Sequence, residues 1–157
     1  MGIAVFDIDG VVADVRHRVH HVERHPKDWH SFFTAADGDL PSAEGVSWAL
    51  RAAAEHELVW LTGRPEWLRP VTAAWLARHG LPAERLLMRG NRDYRPASEY
   101  KVEELGNLAA HENIVVFVDD DPAVVRAAAR AGHTASLATW LPRGAAFADA
   151  QDRAGRT

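Results

Sequence analysis

The chain has 157 residues, 47% of them hydrophobic and 25% charged, which predicts one globular domain that buries most of its apolar surface. Its 18 basic and 22 acidic side chains give a net charge of −4, which does not indicate a positively charged surface for tight binding of duplex nucleic acid. Because cysteine is absent, disulfide and thiolate chemistry is excluded. Neither a signal-peptide pattern nor a bilayer-length apolar run is present, so we expect a cytoplasmic location without membrane contact.

Five short segments rich in Val, Ile, Leu or aromatic residues are predicted to be strands. They begin at Ile3, Glu57, Leu86, Asn113 and His133. Most of them are almost continuously apolar, which is typical of parallel strands that are covered on both faces.

The segments between these strands have helical patterns with readable ends. Pro and polar capping residues mark the predicted starts, and Gly marks two of the stops. The boundary residues are Ser42, Pro70, Gly80, Ser98, Asp121, Pro122 and Gly132. This alternation predicts an α/β fold, a doubly wound, Rossmann-like parallel sheet of about five strands.

Two segments do not fit the alternation. Residues 11–40 hold five of the nine histidines and are too long for a strand-to-helix loop, so we predict a small lid inserted after the first strand. Residues 142–157 are small and polar, which predicts a flexible tail after a domain that spans residues 1–141.

Carboxylates follow two of the predicted strands. Asp7 and Asp9 end the first strand, and Asp119 and Asp120 end the fourth. Either pair alone is equally well explained as turn or helix-start residues. If the two strands are neighbours, the four acids converge at the carboxyl edge of the sheet and need a cation, and Mg²⁺ prefers such oxygen ligands. We therefore predict that all four help to hold Mg²⁺, whereas Asp121 caps the next helix.

Two further polar groups lie near strand ends. Thr62, Gly63 and Arg64 end the second strand, where a hydroxyl, a backbone N–H and a guanidinium can form an oxyanion site. Lys101 lies near the start of a predicted helix, where a lysine is usually solvated. Beside a cluster of acids it would balance charge and hold a phosphate oxygen.

Together, FDIDG, LTGR, Lys101 and VDDDP resemble the four motifs of the haloacid dehalogenase-like hydrolases, in the same order and strand contexts, over residues 3–140. The resemblance implies a Mg²⁺-dependent phosphomonoesterase that works through an aspartyl-phosphate. The implied roles are Asp7 as nucleophile, Asp9 as general acid and base, Thr62 and Lys101 as phosphoryl-binding groups, and Asp120 and Asp119 as metal ligands, the latter directly or through water.

Within this superfamily the chain most resembles the 3′-phosphatase domain of polynucleotide kinase-phosphatase enzymes. Arg18 falls where that family has a lid arginine that reaches the substrate phosphate, and Arg64 matches the arginine of its second motif. Val11 and Ala97 depart from the family pattern, and no P-loop is present. The implied substrate is a 3′-phosphorylated polynucleotide, and no protein partner is evident.

Three other functions are open at this point. A phosphatase of a small nucleotide or sugar phosphate would use the same motifs. A phospho-acceptor receiver domain is disfavoured because its acceptor Asp lies on the third strand, which reads LLMR here. A non-catalytic binding module is disfavoured because no catalytic position is missing.

Side chains around the predicted site allow more than one interpretation. The lid histidines lack tetrahedral ligand spacing, so a solvated lid is favoured over a zinc site. The aromatic residues Trp29, Phe32 and Phe33 form either the core of the lid or a face on which a base stacks. A local run of four arginines around and after the third strand could form a basic rim, namely Arg85, Arg89, Arg92 and Arg95.

Overall fold

A computed structural model describes residues 2–157, and Met1, the first residue of the predicted domain, lies outside the described residues. The strands are β1 (Ile3–Phe6), β2 (Ala13–Asp14), β3 (Leu40–Pro41), β4 (Glu57–Pro65), β5 (Leu86–Arg89), β6 (Ile114–Asp119) and β7 (Ala135–Leu137). The helices are α1 (His20–Glu23), α2 (Trp29–Thr34), α3 (Ala43–Glu55), α4 (Arg69–Arg78), α5 (Ala97–Ala109), α6 (Pro122–Arg130) and α7 (Ala145–Asp152).

Five parallel strands form the central sheet in the order β5-β4-β1-β6-β7, which confirms the predicted fold class. The chain runs from β1 outward through β4 and β5, then returns to β6 on the other side of β1. In such sheets the boundary between β1 and β6 is the switch point, where ligands bind beyond the carboxyl ends of the strands.

Both faces of the sheet are covered, as the continuous apolar runs predict. Trp60 of β4 packs with Trp75 of α4 on one face, and Val59 packs with Leu105 of α5 on the other. Because successive strand residues point to opposite faces, central strands such as β4 contribute to two separate cores.

Most of the predicted helix ends match the structure, but α5 begins at Ala97 after the N-cap Pro96, one residue before the predicted start at Ser98. Ser42 accepts a hydrogen bond from the Gly45 N–H at the start of α3, and Asp121 accepts one from the Ala123 N–H at the start of α6. Gly132 ends α6 with a φ of +95°, a conformation that side chains other than glycine's rarely adopt.

The lid, residues 11–40, begins and ends in a two-stranded antiparallel ribbon that β2 and β3 form. Helices α1 and α2 lie between these strands. Phe32 and Phe33 of α2 are buried in the same apolar core as Phe6 and Trp60, so the lid shares the core of the domain and does not form a separate one. Residues 2–157 include no helix that is both long and apolar enough to cross a membrane.

The segment for which we predicted a flexible tail, residues 142–157, is packed against the domain in the structure. Phe147 of α7 is buried in the same core as the lid residues. Gln151 of α7 donates a hydrogen bond to Asp120 over 3.2 Å. The small, polar sequence gave little indication of this packing because a single aromatic side chain provides most of its apolar contact.

Candidate active site

Three carboxylates converge where β1 and β6 end. These strands pair with Phe6 opposite Val118, so the residues that follow them lie side by side. One carboxylate oxygen from each of Asp7, Asp119 and Asp120 lies within 4.8 Å of the others, and all three side chains are buried. We call these three residues the acidic cluster.

Lys101 provides a positive charge at the acidic cluster. Its Nζ lies 2.7 Å from Oδ2 of Asp119 and 2.9 Å from Oδ2 of Asp7, and the side chain is buried. Burial opposes a charge on this amine, but the two carboxylates outweigh it and hold the pKa of Lys101 above its ordinary value. Lys101 is therefore protonated, although it extends from the buried face of α5.

One lysine does not balance three buried acids. Burial raises the pKa of Asp7 to about 8, against the opposing effect of Lys101. Burial, together with the charges of Asp119 and Asp7, also raises the pKa of Asp120 well above its ordinary value. The acidic cluster therefore favours either protons or a cation.

The turn after β1 brings Asp120 close to the end of this strand. Gly10 has a φ of +79°, and a Cβ added at this position would meet Oδ2 of Asp120. A side chain at residue 10 would therefore be strained and would also displace a member of the acidic cluster.

Asp9 does not point into the acidic cluster. Its Oδ1 accepts hydrogen bonds from Nη2 of Arg64 over 2.6 Å and from Nη2 of Arg18 over 3.0 Å. Burial would raise the pKa of Asp9, but the two guanidinium groups outweigh it and hold the pKa below its ordinary value. The structure thus separates Asp9 from the three acids with which we predicted it to share a metal.

Asp39 completes this second group, and sequence reasoning missed it. Its Oδ1 accepts from Nε of Arg18 over 2.8 Å, and its Oδ2 accepts from Nη2 of Arg64 over 3.0 Å. Both arginines are fully buried, so neither is a solvated side chain. We call Asp9, Arg18, Asp39 and Arg64 the arginine cluster.

The predicted oxyanion site at the end of β4 is buried, and Arg64 belongs both to this site and to the arginine cluster. The Thr62 hydroxyl accepts from the Arg64 N–H over 3.1 Å, which fixes the backbone after β4. A Cβ added at Gly63 would meet the backbone of Thr157, and the Thr157 hydroxyl donates to Oδ2 of Asp9 over 2.6 Å. Residues 153–157, which we call the strap, therefore reach the candidate active site.

The four arginines that suggested a basic rim do not form one shared surface. Arg89 is buried and donates to the Gly63 carbonyl, Arg85 pairs with Glu112, and Arg95 pairs with Asp93. Acidic partners therefore neutralise Arg85 and Arg95, and the spacing of the four arginines alone did not reveal this pairing.

The fold is that of a haloacid dehalogenase-like hydrolase. The chain belongs to the family described as the polynucleotide kinase PNKP phosphatase domain, whose model matches residues 2–136. A comparison with curated proteins found no match.

Solved structures show the same fold at low sequence identity. A chain of the Pnkp1/Rnl/Hen1 complex is 23% identical with a TM-score of 0.73, and the match covers 91% of this chain and 47% of that one. A chain of the Pnkp1/Rnl/Hen1 RNA repair complex is 23% identical with a TM-score of 0.69, covering 87% and 42%. The hydrolase SP0104 from Streptococcus pneumoniae is 12% identical with a TM-score of 0.59, covering 98% and 92%. The present chain thus spans less than half the length of the two Pnkp1/Rnl/Hen1 chains.

Proposed function

We propose that this chain is a Mg²⁺-dependent phosphomonoesterase that removes 3′-phosphates from polynucleotides through an aspartyl-phosphate. The observation that carries the proposal is the convergence of Asp7 with Lys101 and Asp120 beside Asp9 and two buried arginines. This set provides a nucleophile, a proton-transfer group and positive charges for a transferring phosphoryl group within one small volume.

The acidic cluster fits a hard divalent cation. Its donors are carboxylate oxygens only, and the burial of these donors with one lysine leaves excess negative charge. Oxygen-only donor sets favour Mg²⁺ over zinc or softer metals. Asp7, Asp119 and Asp120 would hold the ion, which when bound offsets negative charge on the phosphoryl oxygens.

In the first chemical step, a carboxylate oxygen of Asp7 attacks phosphorus in line, and the bond from phosphorus to the leaving oxygen breaks. The leaving oxygen takes a proton from the carboxylic acid form of Asp9. In the second step, Asp9 removes a proton from water, and this water attacks the aspartyl-phosphate to release inorganic phosphate and free Asp7.

The arginine cluster sets the protonation state of Asp9. While Arg18 and Arg64 contact it, Asp9 is held as a carboxylate, which suits its role as a base but not as an acid. A substrate phosphate that attracts these two guanidinium groups would weaken their hold on Asp9 and raise its pKa. Phosphate binding would therefore prepare Asp9 to donate a proton.

A polynucleotide substrate is supported by the family match, because the family is that of a polynucleotide kinase phosphatase domain. One structure with the same fold is an RNA repair complex, which extends this support by analogy. The expected cytoplasmic location is consistent with such a substrate and stays a prediction.

A phosphate-release assay on matched substrates tests the proposal. The panel is one oligonucleotide with a 3′-phosphate, the same oligonucleotide with a 5′-phosphate, a 5′-nucleotide and a sugar phosphate, each with Mg²⁺ and with a chelator. We expect Mg²⁺-dependent release that is fastest from the 3′-phosphate. Preference for the 5′-nucleotide or the sugar phosphate would instead assign a small-molecule phosphatase, and no release from any substrate would overturn the proposal.

A further inference from the structure

An aromatic cleft of about 300 Å³ opens beside the candidate active site. This volume is at the lower end of the range for small-molecule pockets. The cleft lies between the lid and the loops that follow β4 and β5. Its lining includes Trp29, His30, Phe33, Trp67, Arg89 and Tyr94.

The rings of the cleft are arranged as a surface for stacking. The His30 and Trp67 rings are nearly parallel, with centroids 6.1 Å apart and an angle of 12°. Phe33 meets Trp67 edge-on at 5.9 Å, which fixes the indole from the side of the lid. Trp67 and Tyr94 are 45% and 51% exposed, which is unusual for large apolar side chains that serve only a core.

The strap places a planar group in this cleft. The Arg156 guanidinium lies 4.4 Å from the ring centroid of Tyr94 and 5.1 Å from that of Trp29. The next residue, Thr157, hydrogen-bonds to Asp9 over 2.6 Å. The dipeptide Arg156–Thr157 thus spans the distance from the aromatic rings to the carboxylate of Asp9, and a nucleoside phosphate has a similar reach.

A buried donor in the cleft lacks a partner. Arg89 is 1% exposed, and its Nε and Nη1 donate to the carbonyl groups of Gly63 and Arg95. Its Nη2 is buried without a hydrogen-bond partner among residues 2–157. Because leaving such a donor unpaired is costly, it indicates a ligand oxygen at this place.

We propose that the aromatic cleft binds the base of the nucleotide that carries the scissile phosphate. The proposal rests on the proposed phosphatase function and specifies its substrate. The base takes the place of Arg156 in the cleft and stacks against Tyr94 and Trp67, and Nη2 of Arg89 donates to an oxygen of the base or sugar. Since every base has a π-face, this recognition tolerates any sequence while excluding phosphates that lack a base.

The test uses two 3′-phosphorylated oligonucleotides that differ only in their last residue, which has a base in one and is abasic in the other. We expect the unmodified protein to show a kcat/KM about tenfold or more higher on the substrate with the base. Trp67→Ala and Tyr94→Ala should lose most of this preference, because their kcat/KM falls far more on the substrate with the base than on the abasic one.

Trp48→Ala is the matched control, because Trp48 is 47% exposed on α3 and does not line the cleft. It should keep the preference for the base. The proposal would be overturned by equal kcat/KM on both substrates in the unmodified protein, or by an unchanged preference in both cleft variants. The cleft would then bind only the strap.

A binding measurement separates this proposal from the phosphatase proposal. In an Asp7→Asn background, a nucleoside 3′-monophosphate should quench tryptophan fluorescence, and adding Trp67→Ala should weaken that binding about tenfold. If neither oligonucleotide is hydrolysed but this difference is found, the phosphatase proposal fails and the base site stands. If hydrolysis occurs and the difference is absent, the base site fails alone.

Discussion

The acidic cluster and the arginine cluster lie at the same edge of the sheet, but their charges are balanced differently. The acidic cluster has three carboxylates and one nearby amine, Lys101, whereas the arginine cluster has two carboxylates and two guanidinium groups. Asp7 accordingly has a raised pKa of about 8, and the pKa of Asp9 is lowered.

Because their charges are balanced differently, the two clusters differ in whether they require a bound cation. The acidic cluster is incomplete without a cation, because like charges that are buried together destabilise the folded state. The arginine cluster is complete as it stands, so a substrate phosphate must compete with Asp9 and Asp39 for the guanidinium groups. We therefore expect a cation to complete the acidic cluster, whereas the acids of the arginine cluster already pair with its own guanidinium groups.

Removing the nucleophile should have the largest effect on activity and little on the fold. Asp7→Asn keeps the shape of the side chain but removes a good nucleophile, so kcat should fall about 10⁴-fold or more. The substitution also removes one of three repelling acids, so the melting temperature without metal should be unchanged or higher. Phosphate release and thermal unfolding check both, with Asp37→Asn in the exposed lid as control. Appreciable Mg²⁺-dependent turnover by the folded variant would exclude Asp7 as nucleophile.

Breaking the arginine cluster should affect both stability and activity. Arg18→Ala leaves Asp9 and Asp39 short of a buried partner and should lower the free energy of unfolding by about 3–5 kcal/mol. Losing a charged donor to the phosphoryl group should lower kcat/KM about ten- to a thousandfold, and Arg18→Lys should recover only part of it. Chemical denaturation and kinetics on the 3′-phosphorylated oligonucleotide measure the two effects.

A second substitution separates these effects. In Arg18→Ala, Asp9 and Asp39 share the single guanidinium group of Arg64, and adding Asp39→Ala leaves Asp9 and Arg64 as a balanced buried pair, so stability should recover while activity does not. Arg16→Ala, two residues away and exposed, is the control and should change neither. An Arg18→Ala protein with unchanged kcat/KM would exclude a phosphate contact by the lid arginine.

The two clusters also differ in how far the sequence predicted them. Asp7, Asp119 and Asp120 could be placed together because they follow strands, and parallel strands end at one edge. The contacts of Asp39 and Thr157 could not be predicted, because Asp39 contacts Arg18 at a sequence separation of 21 residues and Thr157 contacts Asp9 at a separation of 148. No local pattern marks either residue.

The directions in which the side chains point were also not predictable from the sequence. The sequence places Asp9 beside Asp7, but tertiary partners decide that its carboxylate turns toward Arg18 and Arg64. The same applies to Arg89. The sequence suggested that Arg89 is part of an exposed basic rim, whereas in the structure it packs against Tyr100 and is a buried hydrogen-bond donor. Backbone periodicity therefore predicted the sheet and its edge, whereas the pairing of charges required the packed lid.

Metal binding should stabilise the fold in a pH-dependent way. At a hundred times its dissociation constant, Mg²⁺ should add about 2.7 kcal/mol to the free energy of unfolding. Because the pKa of Asp7 is raised from its ordinary value to about 8, the metal-free fold binds a proton more tightly than the unfolded chain does, and loses stability as pH rises through this range. The gain from Mg²⁺ should therefore grow between pH 6 and pH 9.

Thermal unfolding with Mg²⁺ or a chelator at several pH values measures this gain. Asp120→Asn should reduce it, whereas Asp37→Asn, outside the acidic cluster, should not. A melting temperature that does not respond to millimolar Mg²⁺ at any pH would show that the three acids do not share a metal.

The smallest expected effect comes from the strap, which contacts the arginine cluster and not the acidic cluster. The Thr157 hydroxyl donates to Asp9, and its backbone covers Gly63, so the strap and a phosphate compete for one place. Deleting residues 153–157 should therefore lower KM about three- to tenfold with little change in kcat, which corresponds to roughly one hydrogen bond to a charged group.

Point variants separate this contact from the rest of the strap. Thr157→Val should lower KM, whereas Thr157→Ser keeps the hydroxyl and should behave like the unmodified protein. Arg153→Ala, which alters the most exposed side chain of the strap, is a second control. Because the acidic cluster does not contact the strap, the dissociation constant of Mg²⁺ should be the same in all four proteins. A KM that rises on deletion would mean that the strap helps to hold the substrate, and the arginine cluster would then be completed by the strap as well as by its own acids.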